Sequence, residues 1–125
     1  MSGIPVTGVN ELVLEVLDLD RAVDFYSEVL GLELADRWEG RAWFKAGEGT
    51  RLGLWTPQVG IAGGRGGVHV HYALHIPEDA YDGALARLRE HGQDPHEEDF
   101  EENGRAMYVT DPEGNVVELW TWEGQ

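Results

Sequence analysis

The chain has 125 residues, 24 acidic against 9 basic side chains for a formal net charge of −15, and no cysteine. That length suits one domain with a core of its own, and the missing cysteine rules out disulfides and thiolate metal ligands. The acidic balance argues against a nucleic-acid partner, which needs clustered Lys and Arg, and no apolar run is long enough to span a bilayer.

Val9 to Leu17, VNELVLEVL, alternates: Leu12, Leu14 and Val16 fall on one face, Glu11, Val13 and Glu15 on the other. This predicts a strand with one face in a core. In the following DLDRAVDFYSEVLG, Asp18 is placed to cap a helix, and Ala22, Phe25, Tyr26, Val29 and Leu30 follow helical spacing. Gly31 sits where that helix should stop. Strands are expected at Glu33 to Trp38, Ala42 to Ala46 and Arg51 to Thr56, with turns at Glu39-Gly40 and Gly47-Glu48-Gly49. Pro57 to Gly67, PQVGIAGGRGG, matches no nucleotide-binding loop and reads as a linker. The pattern then restarts. Val68 to Ile76 is a strand, and Asp79 to His91 a helix with Ala80, Ala84, Leu85 and Leu88 on its apolar side and Gly92 at its end. Pro95 to Glu101, Arg105 to Thr110 and Val116 to Trp122 are further strands, separated by turns at Glu102-Asn103-Gly104 and Asp111 to Asn115. The run Glu97-Glu98-Asp99 with Glu101-Glu102 reads as a solvated edge or loop.

The order strand, helix, three strands is therefore written twice. ELVLEV (11–16) overlays HYALHI (71–76), and RLGLWTP (51–57) overlays VVELWTW (116–122), so that Glu11 meets His71 and Gly53 meets Glu118. The expected fold is α+β, one domain over residues 1–125, built of two βαβββ modules (about 6–57 and 68–122, linker 58–67) whose curved mixed sheets enclose a cavity. Alternation puts His69, His71, Ala73 and His75 on one face of their strand, and Glu118, Trp120 and Trp122 on the face opposite Val117 and Leu119. A row of imidazoles is either a solvated polar edge or the wall of a site. Trp38, Trp43, Trp55, Trp120 and Trp122 are either core or the lining of a small-molecule pocket, and Phe44 and Tyr108 read equally well as core.

The stretches DLDRAVDFYSEVLGLEL and VTDPEGNVVELW, with the doubled order around them, resemble the vicinal oxygen chelate superfamily, also called the glyoxalase, bleomycin-resistance and extradiol dioxygenase family, from about Val6 to Trp122. The resemblance implies metal ligands from the opening and closing strands of each module, which here are Glu11, His71, Gly53 and Glu118. Gly53 offers no donor, and Glu11 stands where relatives more often carry His. What remains is Glu11, His71 and Glu118, a set suited to Mn, Fe(II), Ni, Zn or Co with positions left for substrate. The implied function is a metal-dependent lyase, isomerase or dioxygenase chelating neighbouring oxygens of a small molecule. Catalytic candidates are Glu118, Glu15 and His69, and the substrate pocket would draw on His75, Trp55, Trp120 and Trp122. The alternative is a metal-free protein of the bleomycin-resistance type, sequestering an aromatic or cationic compound. A cytoplasmic homodimer is expected, with no membrane or nucleic-acid partner.

Overall fold

The computed structural model describes residues 3–57 and 71–124. The expected linker and His69 lie outside the described residues. The first module runs β1 (Glu11–Glu15), α1 (Leu19–Asp24), β2 (Leu34–Trp38), β3 (Arg41–Lys45) and β4 (Arg51–Trp55). The second runs β5 (His71–His75), α2 (Tyr81–Glu90), β6 (His96–Asp99), β7 (Arg105–Thr110) and β8 (Val116–Trp120). Each forms a four-stranded mixed sheet, ordered β1-β4-β3-β2 and β5-β8-β7-β6, in which only the first and last strands of the module run parallel. The doubled α+β architecture read from the sequence is thus the architecture observed.

Local signals act where expected. The Asp18 carboxylate accepts from the backbone N–H of Arg21 at 3.1 Å, capping α1. Gly31 and Gly92 take positive φ (76° and 80°), ending the two helical segments where a side chain would be strained. Several boundaries differ from the expectation for identifiable reasons. After Asp24 the first helix widens into a π-helical turn over Phe25–Val29, closed by the Leu30 N–H on the Phe25 carbonyl at 3.1 Å. The neighbours Phe25 and Tyr26 are both buried there, their rings edge to face at 5.2 Å. The second helix opens with a 3₁₀ turn, Glu78–Ala80, before α2. The strand expected at 95–101 stops at Asp99, because Glu101 adopts φ 59° and turns the chain. β8 stops at Trp120, and Trp122 follows the strand, stacked on Trp120 at 4.8 Å.

Both modules contribute one face of their sheet, and their helices, to a single core. Leu52, Leu54 and Phe44 of the first meet Met107, Val117 and Leu119 of the second in one cluster with Tyr26, Tyr81 and Leu88. A buried polar network ties the halves together. Asp111, 4% exposed, opens the turn before β8. Its carboxylate accepts from the Tyr26 hydroxyl (2.7 Å), the backbone N–H groups of Glu113 (2.9 Å) and Asn115 (2.8 Å), and the Asn115 side-chain amide (2.9 Å). The Tyr72 hydroxyl on β5 donates to that of Tyr26 at 2.7 Å. Helix, opening strand and closing turn are thereby fixed to one another.

The outer face of the first sheet has its own constraint. Gly53 and Trp43 are register partners, and the Trp43 ring lies so close that a Cβ on Gly53 would sit 2.6 Å from its Cζ3. Glycine here makes room for an indole lying flat on the sheet.

Three consequences can be measured. Tyr26→Phe removes one donor from a buried carboxylate and should cost about 1–3 kcal/mol in urea unfolding. Burial, reinforced by Tyr72 and the Asp111 charge, raises the pKa of Tyr26 far above its ordinary value near 10, and Tyr72 is raised also. The folded state therefore keeps protons that the unfolded chain loses. Stability should be insensitive to these groups below about pH 10 and fall above it, by about 1.4 kcal/mol per pH unit for Tyr26 alone, with a shallower fall in Tyr26→Phe. Gly53→Ala should lose about 1–3 kcal/mol by overpacking and shift the tryptophan emission as Trp43 is displaced.

Candidate functional site

Register partners share a face, which defines the outer face of the second sheet: His71, Ala73 and His75 on β5, Val116, Glu118 and Trp120 on β8, Ala106, Tyr108 and Thr110 on β7, and His96 and Glu98 on β6. At its centre Glu118 is only 3% exposed. One carboxylate oxygen lies 3.1 Å from His71 Nε2, and the other accepts from the Tyr108 hydroxyl at 2.9 Å. The Tyr108 ring stands between two imidazoles, with centroids 6.1 Å from both His71 and His96. Burial, then the hydrogen bond and charge of Glu118, push the Tyr108 pKa up to about 12, so at neutral pH it is a fixed donor.

The donor chemistry of this pair fits a divalent cation. A buried carboxylate is costly without a positive partner. Among the described residues no Lys or Arg pairs with Glu118, whereas an imidazole nitrogen and a carboxylate oxygen are presented side by side. Tyr108 holds the second oxygen, which orients the ligand as outer-shell donors do at metal sites.

Glu11 is elsewhere. Arg51, its register partner, donates to its carboxylate through Nε (3.1 Å) and an Nη (2.9 Å). Among the described residues no three His, Asp or Glu side chains converge. Of the three candidate ligands, β5 and β8 bring His71 and Glu118 together within one chain, while Glu11 on β1 belongs to the other sheet, where Arg51 holds it. Glu15 and Trp55 are also register partners on that first-sheet face. His75, four residues along β5 from His71, has its Nε2 3.3 Å from Glu123 Oε1. Trp120 packs between Phe100 (5.6 Å, edge to face) and Trp122, and its indole N–H donates to the Asn103 carbonyl at 2.9 Å.

Sequence reasoning left Tyr108 undecided between core and site. The signal was its phase within Arg105 to Thr110, which pairs it with Glu118 once the β7–β8 turn is counted. It also missed the layered outer face of the first sheet. There the Arg51 guanidinium lies 3.7 Å over Trp43, Arg41 lies 4.4 Å over Trp55, and the two indoles meet edge to face at 5.8 Å.

Comparison with known proteins identifies the family and agrees with the fold. Residues 8–119 match the family model described as the Glyoxalase/Bleomycin resistance protein/Dioxygenase superfamily. The chain is 32% identical to the metallothiol transferase FosB of Shouchella clausii, covering 93% of this chain and 81% of that protein. It is 30% identical to the glutathione transferase FosA of Serratia marcescens, covering 88% and 77%. A lactoylglutathione lyase structure from Agrobacterium tumefaciens superposes with a TM-score of 0.76 at 26% identity, covering 94% of this chain and 96% of that one. With the doubled βαβββ order and the His71–Glu118 pair in place, the chain belongs to the glyoxalase/bleomycin resistance protein/dioxygenase superfamily.

Proposed function

We propose that the protein is a divalent-metal-dependent enzyme acting on a small molecule with neighbouring oxygens, and that its site is shared between two copies of the chain. His71 and Glu118 of one copy would be joined by Glu11 of the other. The observation that carries this reading is the pair itself, a buried carboxylate turned toward an imidazole by Tyr108, while Glu11 is exposed on the other sheet. The exposed apolar side chains Val13 and Trp38 on that face also favour coverage by a second copy. The relatives named glutathione transferase and metallothiol transferase support enzymatic, metal-linked chemistry.

When bound, a cation such as Mn, Fe(II), Ni, Zn or Co would supply Lewis-acid polarisation of two adjacent substrate oxygens. The chain's own residues do the rest. Tyr108 stays protonated and holds Glu118 in one orientation. His75 shares the outer face with His71 but stands four residues, about 13 Å, along the strand from it, toward the rim of the site. Its Nε2 faces the Glu123 carboxylate, and the pair would contact the substrate away from the chelated oxygens. Glu15, and His69 outside the described residues, are the candidates for the acid–base role of a lyase or isomerase. Arg51 must give up Glu11 for the ligand set to assemble.

A second reading, a metal-free protein sequestering an aromatic or cationic compound, draws on the stacked Trp120 and Trp122 beside Glu123. Metal titration separates the two. Protein purified without metal resin and stripped with chelator should bind Mn(II) or Zn(II) stoichiometrically by calorimetry. His71→Ala should abolish tight binding, and Glu118→Gln should weaken it at least about a hundredfold. Glu11→Gln should weaken it less, because Glu15 lies on the same face of β1. Negligible binding by the native protein would leave only the sequestering role.

A further inference from the structure

Most cations of this acidic chain are already neutralised. Among the described residues, Arg37, Lys45, Arg51, Arg89 and Arg105 each have a carboxylate in ion-pair range. Arg41 does not. Its exposed guanidinium rests on the Trp55 ring, 4.4 Å from the centroid. Beneath it a second group is unsatisfied: the indole N–H of Trp55 is buried and donates to no acceptor among the described residues. Native proteins rarely leave such a donor without an acceptor, and each instance calls for a reason.

The two groups are neighbours by construction. Arg41 and Trp55 are register partners, in a row across the outer face that reads Glu15, Trp55, Arg41, Trp38. Glu15 stands two strands from Arg41, about 9.5 Å between backbones. The acids on the opposing kind of face have other partners: Glu118 has His71 and Tyr108, Glu98 has His96, and Glu123 has His75. A guanidinium without a carboxylate and an N–H without an acceptor therefore point to a ligand that brings oxygens. The exposed indole of Trp38 and the half-buried one of Trp55 offer flat apolar surface to its body.

We infer that this end of the first sheet's outer face is a recognition subsite for a planar oxyanion, and that the substrate carries a carboxylate on a conjugated or aromatic frame. The carboxylate pairs with Arg41 and, as that side chain swings off the indole it covers, reaches the Trp55 N–H that is buried in the free protein, while the frame lies against Trp38 and Trp55. This deepens the proposed function and rests on it, because this is the face that would close over His71 and Glu118 of the other copy.

The test uses the full chain, stripped of metal, with benzoate as probe, benzamide as its uncharged isostere and benzamidine as the cation of similar shape. Binding is read by tryptophan fluorescence and calorimetry. Benzoate should bind at least about tenfold more tightly than benzamide, the margin expected of charge-assisted hydrogen bonds. Arg41→Gln should erase that margin without changing benzamide affinity, Arg41→Lys should keep part of it, and Trp55→Phe should reduce it. Arg41 is exposed, so these variants should fold, which circular dichroism checks. Equal affinity for benzoate and benzamide, preference for benzamidine, no saturable benzoate binding, or indifference to Arg41→Gln would each overturn the inference. Mn(II) titration of the same preparations keeps the two ideas apart. Loss of metal binding with benzoate selectivity intact faults the metal site alone, and the reverse result faults this subsite alone.

Discussion

Asp111 is the constraint on which the rest of the structure depends. A carboxylate with 4% exposure would be untenable alone, but four donors from three places in the chain converge on it. Two are backbone N–H groups of its own turn, so the turn has one shape. That turn starts β8, and a strand's side chains alternate, so a slip of one residue would swing Glu118 into the core and Val117 out of it. The fourth donor, Tyr26, belongs to the first module, and through it Tyr72 on β5 is tied in as well. One buried group thus aligns β5 with β8, and that alignment brings His71 and Glu118 to 3.1 Å.

The doubled architecture is not symmetric in its chemistry. Gly53 and Glu118 occupy the same position in β4 and β8, and their register partners on the adjacent strands are Trp43 and Tyr108. In the second module the pair is a carboxylate held by a phenol. In the first the carboxylate has become glycine and the aromatic partner an indole that fills the space, with Arg51 stacked on it. Glycine in place of a carboxylate makes room for that indole and for the guanidinium groups stacked on the rings. In the proposed reading, the second module's face would hold a cation and the first module's face would oppose it with rings and guanidinium groups.

How much of this was legible follows the range of each signal. Caps and stops were readable because Asp18, Gly31 and Gly92 act on their own turns. The phases of β1, β5 and β8 were readable because alternation is local, and the repeat made the fold class plain. The π-helical turn was not, since it answers to burying Phe25 and Tyr26 side by side. Tyr108 was ambiguous because its partner is fixed by β7–β8 pairing. The separation of Glu11 from His71 was hidden most deeply. Strand phase says which face a residue takes, but which faces meet depends on how two modules, or two chains, are arranged.

The central claim, that Glu11 of one copy completes the site of another, is tested most directly by complementation. Glu11→Gln and His71→Ala are each prepared, stripped of metal, then unfolded together and refolded as a mixture. A hybrid of the two contains one site with Glu11, His71 and Glu118 all intact and one with neither Glu11 nor His71. Random pairing makes half the dimers hybrids, so about a quarter of the native number of tight metal sites should return in the mixture, with native affinity. A mixture that binds metal no better than the two variants measured separately, when the native protein binds it tightly, would contradict the shared site.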